Sequence, residues 1–154
     1  MNLNLYSGSP EETFFFGKSL ANVLTGSELI FLRGNLGAGK TIFTKGMGYG
    51  LGIDTREIVS PSYTLMNIYE GRCKLFHIDL YRIGEQINRG IPEIDDNLDA
   101  GIIAVEWADY IKEYYQGEKN LIDIFISFKG GNDPGRILSI VSGLTISPGT
   151  FSKT

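Results

Sequence analysis

The segment from Gly34 to Thr41 has the composition of a loop that binds a nucleoside triphosphate. It reads Gly-Asn-Leu-Gly-Ala-Gly-Lys-Thr and satisfies the pattern G-x-x-x-x-G-K-[ST] completely. Its glycines let the backbone curl so that amide N–H groups converge on phosphate oxygens, and a following helix adds its positive N-terminus. Lys40 supplies a cation for the β- and γ-phosphates, and the hydroxyl of Thr41 can ligate magnesium. The pattern predicts a site for a triphosphate and its divalent ion.

Two acidic residues stand where such a site needs them. Asp79 ends the apolar run that begins at Leu75, and Glu106 ends the run that begins at Ile102. Because P-loop enzymes hold magnesium with an acid at the end of a neighbouring strand, we expect Asp79 and Glu106 beside Thr41. One acid would serve the ion and the other would orient the attacking water. The sequence leaves open which acid takes which role.

Three neighbouring residues have less specific interpretations. His77 lies two residues before Asp79 and shares its face of the predicted strand, and we interpret it as a structural group. Trp107 follows Glu106 and is either a core aromatic or a platform near the nucleotide. Cys73, the one cysteine, is interpreted as packing, and a single cysteine fits a reducing cytoplasm.

The elements that position the loop are an apolar strand before it and a helix after it. The strand is predicted over Glu28–Leu32, and the helix begins near Lys40. An earlier helix is predicted from the N-cap Ser9 to about Leu24, with proline at its first position. Glycines at positions 46, 48 and 50 weaken the helix after the loop, and the sequence offers no reason for them.

The second half of the chain is predicted to be mainly β. Turns at 70–72 and 129–135 predict two hairpins, 84–99 short helices and loops, and 107–115 a helix. The strand candidates are residues 64–69, 74–79, 102–105, 121–128 and 137–144. We therefore predict one α/β domain over residues 1–146, a P-loop NTPase-like three-layer sandwich with parallel strands around the loop and antiparallel hairpin strands beside them. Residues 147–154 are predicted to be a frayed tail.

Composition excludes several classes of protein. The 154 residues are 42% hydrophobic and 21% charged, which does not fit a disordered chain, and no apolar run approaches the roughly 18 residues of a membrane-spanning helix. The N-terminus lacks a secretory signal, so we expect a cytoplasmic protein with no membrane partner. Fourteen basic against 18 acidic residues give a net charge of −4, and no basic tract occurs. Such a chain is a poor autonomous binder of DNA or RNA.

Two kinds of P-loop protein compete for the sequence. A guanine-specific GTPase usually carries Asn-Lys-x-Asp, which is absent, so ATP is preferred. A small-molecule kinase commonly adds an arginine-rich lid, for which Arg82 or Arg89 could serve, although the arginines are scattered. A nucleotide-dependent binding module with little hydrolysis is the third possibility. No arginine finger is identifiable, so we expect slow hydrolysis by the isolated chain.

Four motifs, taken in order, resemble the TsaE family, also called YjeE, of bacterial P-loop ATPases in tRNA threonylcarbamoyladenosine synthesis. The motifs are Asn35–Thr41, Ser60–Leu65, His77–Arg82 and Val105–Trp107. The resemblance extends from about residue 9 to residue 141. Apart from the P-loop each motif is weak alone, but together they are specific.

The resemblance implies a small cytoplasmic ATPase that uses ATP and Mg²⁺ and binds a heterodimer of TsaB and TsaD. That heterodimer transfers a threonylcarbamoyl group to the adenosine beside the anticodon of tRNAs that read codons beginning with A. The transfer chemistry lies in TsaD, and ATP hydrolysis by the TsaE protein resets the complex between turnovers. The tRNA would be met only indirectly, through the complex.

Carried over residue by residue, the resemblance implies catalytic roles for Glu106, Asp79 and Lys40. It implies metal ligation by Thr41, Asp79 and Glu106. Residues 60–65 resemble a switch-like segment in which Thr64 or Ser62 approaches the γ-phosphate. The implied nucleotide contacts are Asn35, Leu36, Gly37, Ala38, Gly39, Lys40, Thr41, Thr64 and Trp107. The family usually has Asp at position 35, so Asn35 removes a charge near the phosphates but leaves the backbone cradle.

Overall fold

A computed structural model describes residues 1–61 and 63–153. Its seven strands form one sheet, and helices lie on both sheet faces. The strands are β1 Asn2–Ser7, β2 Leu29–Arg33, β3 Met66–Glu70, β4 Lys74–Asp79, β5 Ile102–Glu106, β6 Leu121–Gly130 and β7 Asp133–Ser142. The α-helices are α1 Pro10–Ala21, α2 Lys40–Gly50, α3 Pro92–Asp95 and α4 Lys112–Tyr115. Short 3₁₀ turns cover Gly84–Gln86, Ala108–Tyr110 and Pro148–Phe151.

The strand order is β1-β7-β6-β2-β5-β4-β3. The central four, β6, β2, β5 and β4, are mutually parallel, whereas β7, β1 and β3 are antiparallel additions at the edges. The carboxyl ends of the parallel strands therefore meet at one edge of the sheet, where ligands bind in open α/β folds. This arrangement confirms the predicted α/β class, with parallel strands at the P-loop and antiparallel hairpins beside them.

Helices α1 and α2 pack so closely that glycine is required between them. A Cβ on Gly46 would lie 2.0 Å from the backbone oxygen of Phe14, and a Cβ on Gly17 would lie 2.1 Å from that of Phe43. Also on α2, a Cβ on Gly48 would lie 1.9 Å from the side chain of Ile58. The glycines that weaken α2 thus place it directly against its neighbours. Since α2 begins at Lys40, this contact also fixes the base of the P-loop.

The opposite face of the parallel strands is covered by α3, α4 and the turn Ala108–Tyr110. Ile94, Ala108, Ile111 and Tyr115 bury their side chains there against β2, β4 and β5. The hydroxyl of Tyr115 accepts a hydrogen bond from the Ile91 amide and donates to Asp95. Burial and the neighbouring carboxylate raise the pKa of this phenol, so it stays protonated. The second layer therefore joins the sheet through a buried apolar cluster with a satisfied polar anchor.

A buried carboxylate fixes the turn that precedes β2. Glu28 is 4% exposed and accepts hydrogen bonds from the amides of Thr25, Gly26 and Ser27 and from the Thr25 hydroxyl. Burial alone would raise its pKa, but these four donors outweigh burial and lower it. Glu28 was predicted as the first strand residue, but the strand begins at Leu29, and the Glu28 side chain instead stabilises the preceding turn.

Several parts of the chain differ from the sequence predictions. Residues 2–7, for which no element was predicted, form the edge strand β1 on β7. The single helix predicted over 107–115 is two short pieces. Trp107 lies before the first piece with φ 59° and ψ 37°, and Ile111, with φ −123° and ψ −4°, separates the two. The predicted frayed end contains the turn Pro148–Phe151, and Phe151 is buried with its ring edge-on to Phe16 at 6.1 Å. Phe151, together with the ion pair of Lys153 and Glu12 at 2.7 Å, docks this end on α1.

Candidate functional site

The P-loop joins the end of β2 to the start of α2 and curls through three glycines with positive φ. Gly34, Gly37 and Gly39 have φ of 136°, 77° and 112°, values that side chains other than glycine rarely tolerate. A Cβ on Gly34 would also lie 2.2 Å from the backbone oxygen of Ile126 on β6. The predicted curl of this loop is therefore present, and it points the N-terminus of α2 at the carboxyl edge of the sheet.

Lys40 lies under the loop and contacts its backbone. The ammonium Nζ donates to the carbonyl oxygens of Gly34 at 2.6 Å and Asn35 at 3.0 Å, and it lies 4.0 Å from the ring centre of Trp107. The side chain is 5% exposed, and burial lowers the pKa of this amine. The cation is thus held by loop carbonyls and an aromatic face in the position where it can reach a phosphate.

Glu106 is the centre of a hydrogen-bond network that reaches the first turn of α2. Its Oε2 accepts from the hydroxyl of Thr41 at 2.9 Å, and its Oε1 lies 2.9 Å from Nε2 of His77. The hydroxyl of Thr44 lies 3.3 Å from the same Oε1. Glu106 is 2% exposed. One of the two acids predicted for the metal site therefore touches the hydroxyl predicted to ligate the metal.

Asp79 reaches the same place from the neighbouring strand. In the parallel pairing of β4 and β5, Asp79 is opposite Glu106. Its Oδ1 accepts the amide N–H of Tyr81 at 2.9 Å. Burial raises the pKa of Asp79, and the charge of Glu106 adds to the rise against the opposing effects of the Tyr81 amide and Lys40. The two carboxylates thus lie at adjacent strand ends, as the sequence predicts.

A cavity of about 320 Å³ collects these groups. Among the residues predicted to act on a nucleotide or its metal, it is lined by Leu36, Gly37, Gly39, Lys40, Thr41, Asp79, Glu106 and Trp107. Ser60, Tyr81 and Ile42 complete the lining. The predicted metal ligands in this lining are the hydroxyl of Thr41 and the carboxylates of Asp79 and Glu106. All are oxygen ligands, which suit Mg²⁺. No group of three His, Cys, Asp or Glu side chains is arranged as a metal cage within residues 1–61 and 63–153, and Mg²⁺ usually binds through one or two carboxylates, water and substrate phosphates.

A second cavity of about 280 Å³ lies on the other side of the P-loop. It shares Gly37, Gly39 and Ile42 with the first cavity and extends between the start of α1 and the β6–β7 hairpin. Arg136 lines it, donates from Nη2 to the carbonyl of Gly37 at 3.3 Å, and lies over the ring of Phe128 at 4.2 Å. The two cavities therefore meet at the P-loop.

Three of the predicted contacts lie away from the first cavity. Asn35 and Ala38 are absent from its lining, although the carbonyl of Asn35 holds Lys40 and Ala38 lines the second cavity. The hydroxyl of Thr64 donates to the carbonyl of Met66 and to the side chain of Asn67, outside both cavities. The alternative prediction for the switch segment, Ser62, lies outside the described residues.

The fold brings to the site further residues that the sequence motifs do not single out. Ser60 lines the first cavity with its Oγ 3.3 Å from that of Thr41, so the segment from 60 to 65 reaches the site through its first residue. Tyr81 packs against Trp107 with tilted rings, their centres 4.9 Å apart. Only the position of Ser60 and Tyr81 inside quoted motifs could have pointed to them.

Arg33, at the end of β2, holds the strand ends beside the loop. It forms a two-point ion pair with Asp123 of β6, at 2.7 and 2.9 Å, and contacts Asp109 at 3.4 Å. These carboxylates raise the pKa of the Arg33 guanidinium. Asp109 belongs to the turn after Trp107, the sole non-glycine residue with positive φ in the described ranges 1–61 and 63–153. Strained backbone of this kind concentrates at functional sites.

Comparison with known proteins agrees with the geometry. The profile of the family described as "Threonylcarbamoyl adenosine biosynthesis protein TsaE" matches residues 7–136. The chain is 42% identical to the "tRNA threonylcarbamoyladenosine biosynthesis protein TsaE" of Nostoc sp., over 68% of this chain and 67% of that one. The protein of the same name from Aquifex aeolicus is 43% identical over 66% of this chain and 73% of its own.

The fold agrees with a solved structure. The crystal structure of Bacillus subtilis YdiB superposes with a TM-score of 0.72 at 31% identity, covering 92% of this chain and 86% of that one. No helix within the described residues is long and apolar enough to cross a membrane. Together with the family match, the loop, the strand-end acids and the fold identify this chain as a member of the TsaE family of tRNA threonylcarbamoyladenosine biosynthesis.

Proposed function

We propose that this chain binds ATP with Mg²⁺ and hydrolyses it in support of tRNA threonylcarbamoyladenosine synthesis, acting in the cytoplasm on a complex of TsaB and TsaD. One observation carries the proposal. Lys40 and Thr41 from the loop and Asp79 and Glu106 from two strand ends converge on one cavity at the carboxyl edge of the parallel strands. This set of groups is what phosphoryl transfer requires: a cation, oxygen ligands for a metal ion, and an acid to orient water.

The triphosphate would lie along the P-loop, with its γ-phosphate in the first cavity. The loop amides and the start of α2 attract its oxygens. Lys40 would leave the carbonyls of Gly34 and Asn35 for the β- and γ-phosphates, exchanging two neutral acceptors for charged ones. The nucleoside would lie in the second cavity, beside Arg136, because that cavity continues from the first across Gly37 and Gly39.

Hydrolysis then depends on the two strand-end acids. Bound Mg²⁺ would offset the negative charge that develops on the γ-phosphoryl group. Thr41 and one carboxylate would hold it, and the other carboxylate would accept a hydrogen bond from the attacking water. The lining of the first cavity contains no arginine in the part of the chain that the structure describes. Because an arginine finger is worth about 10³–10⁵ in rate, hydrolysis by the isolated chain should be slow and should rise with its partners.

Two variants and a control test this proposal. Lys40→Ala should weaken ATP binding, whereas Glu106→Gln should keep binding within a few fold and lose hydrolysis by about 10²-fold or more. Lys45→Ala, which removes a cation on the same helix outside both cavities, should change neither. Phosphate release is measured with the chain alone and with TsaB and TsaD present. Unchanged hydrolysis by Glu106→Gln would contradict the assigned role.

The same assay separates the other two possibilities. A small-molecule kinase would release ADP without equivalent free phosphate and would need an acceptor. If the chain is a binding module with little hydrolysis, Glu106→Gln should support tRNA modification in a reconstituted system as well as the unaltered chain does. If the chain is an ATPase, we expect it to release free phosphate, and we expect Glu106→Gln to lose repeated rounds of modification.

A further inference from the structure

His77 is a buried polar residue behind the candidate site, and it contacts the acid on which the proposed chemistry depends. It lies on β4, is 0% exposed, and points away from solvent toward β5 and α2. Its Nε2 lies 2.9 Å from Oε1 of Glu106, across a separation of 29 residues in sequence. A long-range hydrogen bond between two buried side chains fixes both of them more firmly than either would be held alone.

Among residues 1–61 and 63–153, His77 is the one donor that can serve Oε1 continuously. The Thr44 hydroxyl, the other group near Oε1, has a single proton and lies closer to the carbonyl of Lys40, at 3.1 Å, than to Oε1, at 3.3 Å. Thr41 serves the opposite oxygen, Oε2. The carboxylate of Glu106 is therefore divided, with Oε1 held inside the protein by His77 and Oε2 turned to the first cavity.

The environment of His77 also selects the position of its proton. An ionised carboxylate only accepts hydrogen bonds, so the proton must be on Nε2 for the contact with Oε1 to form. Nδ1 is buried and has no hydrogen-bond partner among the described residues. A proton on Nδ1 would be a buried donor without an acceptor, which is more costly than an unused lone pair. The arrangement fits an imidazole that donates from Nε2 to Oε1.

We propose that His77 is a positioning residue that aims Oε2 of Glu106 at the reaction site. The inference rests on the proposed ATP hydrolysis and assigns to this residue a task beyond the structural one expected from the sequence. Glu106 then acts through one oxygen, whether that oxygen holds the ion or orients the water. A glutamate has three side-chain torsions, and fixing Oε1 removes the rotation that would exchange its two oxygens. Supporting groups of this kind typically change activity by about 10–100-fold when removed.

The first test needs no enzymatic activity. His77 is the one histidine of the chain, so a ¹⁵N-imidazole NMR spectrum of the unaltered protein contains a single histidine ring. We expect couplings characteristic of a ring protonated at Nε2 and an Nε2 proton that exchanges slowly with water. In Glu106→Ala that proton should exchange faster. A ring without a proton on Nε2, or exchange unaffected by loss of Glu106, would overturn the proposal.

The second test measures kinetics in the reconstituted system. His77→Leu fills a similar volume without a donor and should lower kcat by about 10–100-fold, with KM for ATP within about threefold. His77→Gln offers an amide donor near the same place and should recover most of kcat. In a Glu106→Gln background, His77→Leu should cost little more, since the group it positions is already altered.

Equal losses in His77→Leu and His77→Gln, or full additivity with Glu106→Gln, would show that His77 contributes packing alone. Thermal unfolding of each variant identifies loss of fold, and in that case the NMR test decides. If the unaltered chain and its partners hydrolyse no ATP, the proposed function fails while the NMR result still reports whether His77 holds Glu106. The two failures are therefore distinguishable.

Discussion

Replacing Gly46 with alanine tests whether the close contact of α1 and α2 governs the stability of the fold. In an isolated helix Gly→Ala stabilises by about 1 kcal/mol. Here the new Cβ would lie 2.0 Å from the backbone oxygen of Phe14 and 2.9 Å from its carbonyl carbon, so one helix must move. Overpacking a well-packed contact costs about 1–3 kcal/mol and occasionally more. Because the atoms that must move are backbone, we take the upper value and expect a net loss of about 2 kcal/mol.

Thermal unfolding followed by circular dichroism measures this loss. For a domain of this size, 1 kcal/mol corresponds to about 2–4 °C, so Gly46→Ala should lower Tm by about 4–8 °C. Gly117→Ala is the matched control, because a Cβ there meets nothing within 4 Å and the residue has no positive φ. An unchanged or raised Tm for Gly46→Ala would refute the packing argument. Since α2 begins at Lys40, the variant should also weaken ATP binding at temperatures where it is folded.

Three further predictions address stability and the metal. Glu28→Gln turns an amide toward N–H donors and should lower the free energy of unfolding by about 2–4 kcal/mol at pH 7. Because folding lowers the pKa of Glu28, its carboxylate stabilises the fold above the ordinary pKa of 4.5, and this stabilisation declines as pH falls through the folded-state pKa. In urea titrations at lower pH, the difference in unfolding free energy between Glu28→Gln and the unaltered chain should therefore shrink. Phe151→Ala removes the ring that docks on Phe16 and should cost about 2–4 kcal/mol in the same titration, whereas no loss would mean that this end is detached. Asp79→Asn should raise the Mg²⁺ concentration needed for half-maximal phosphate release if Asp79 holds the ion, and should lower only kcat if it orients water.

The local features of the fold were predictable because they follow from neighbouring residues. Ser9 caps α1 through its side chain to the Glu12 amide, as the Ser-Pro-Glu-Glu run indicates. The glycines of the P-loop take the left-handed backbone that their spacing predicts. Strand β4 has the predicted bounds, because its apolar run and flanking turn are both local signals.

Features that depend on distant parts of the chain were not predictable. The glycine at 46 reads as a helix-weakening residue until Phe14 of α1 is placed against it. His77 reads as structural until the pairing of β4 with β5 brings it to Glu106. In each case a tertiary contact decides the residue's task, and sequence spacing carries no signal of it.

In the candidate site, too, residues marked by local sequence patterns were predictable and residues brought in by long-range contacts were not. The sequence selected Lys40, Thr41, Asp79 and Glu106 because loop spacing and strand ends are local patterns, and all four line one cavity. Thr64 was selected from a motif whose path the sequence does not define, and its hydroxyl bonds to Met66 and Asn67 instead. Arg136 lies on β7, 99 residues beyond Gly37, and its side chain donates a hydrogen bond to the Gly37 carbonyl. No sequence pattern near either residue predicts this contact.

The most direct test of the central claim is a calorimetric titration of ATP into the chain with Mg²⁺ present. We predict saturable binding of one ATP per chain, weakened at least tenfold by Lys40→Ala and unaltered by Lys45→Ala. Absence of binding to the unaltered chain, or equal affinity in all three proteins, would contradict the assignment of this loop as the ATP site.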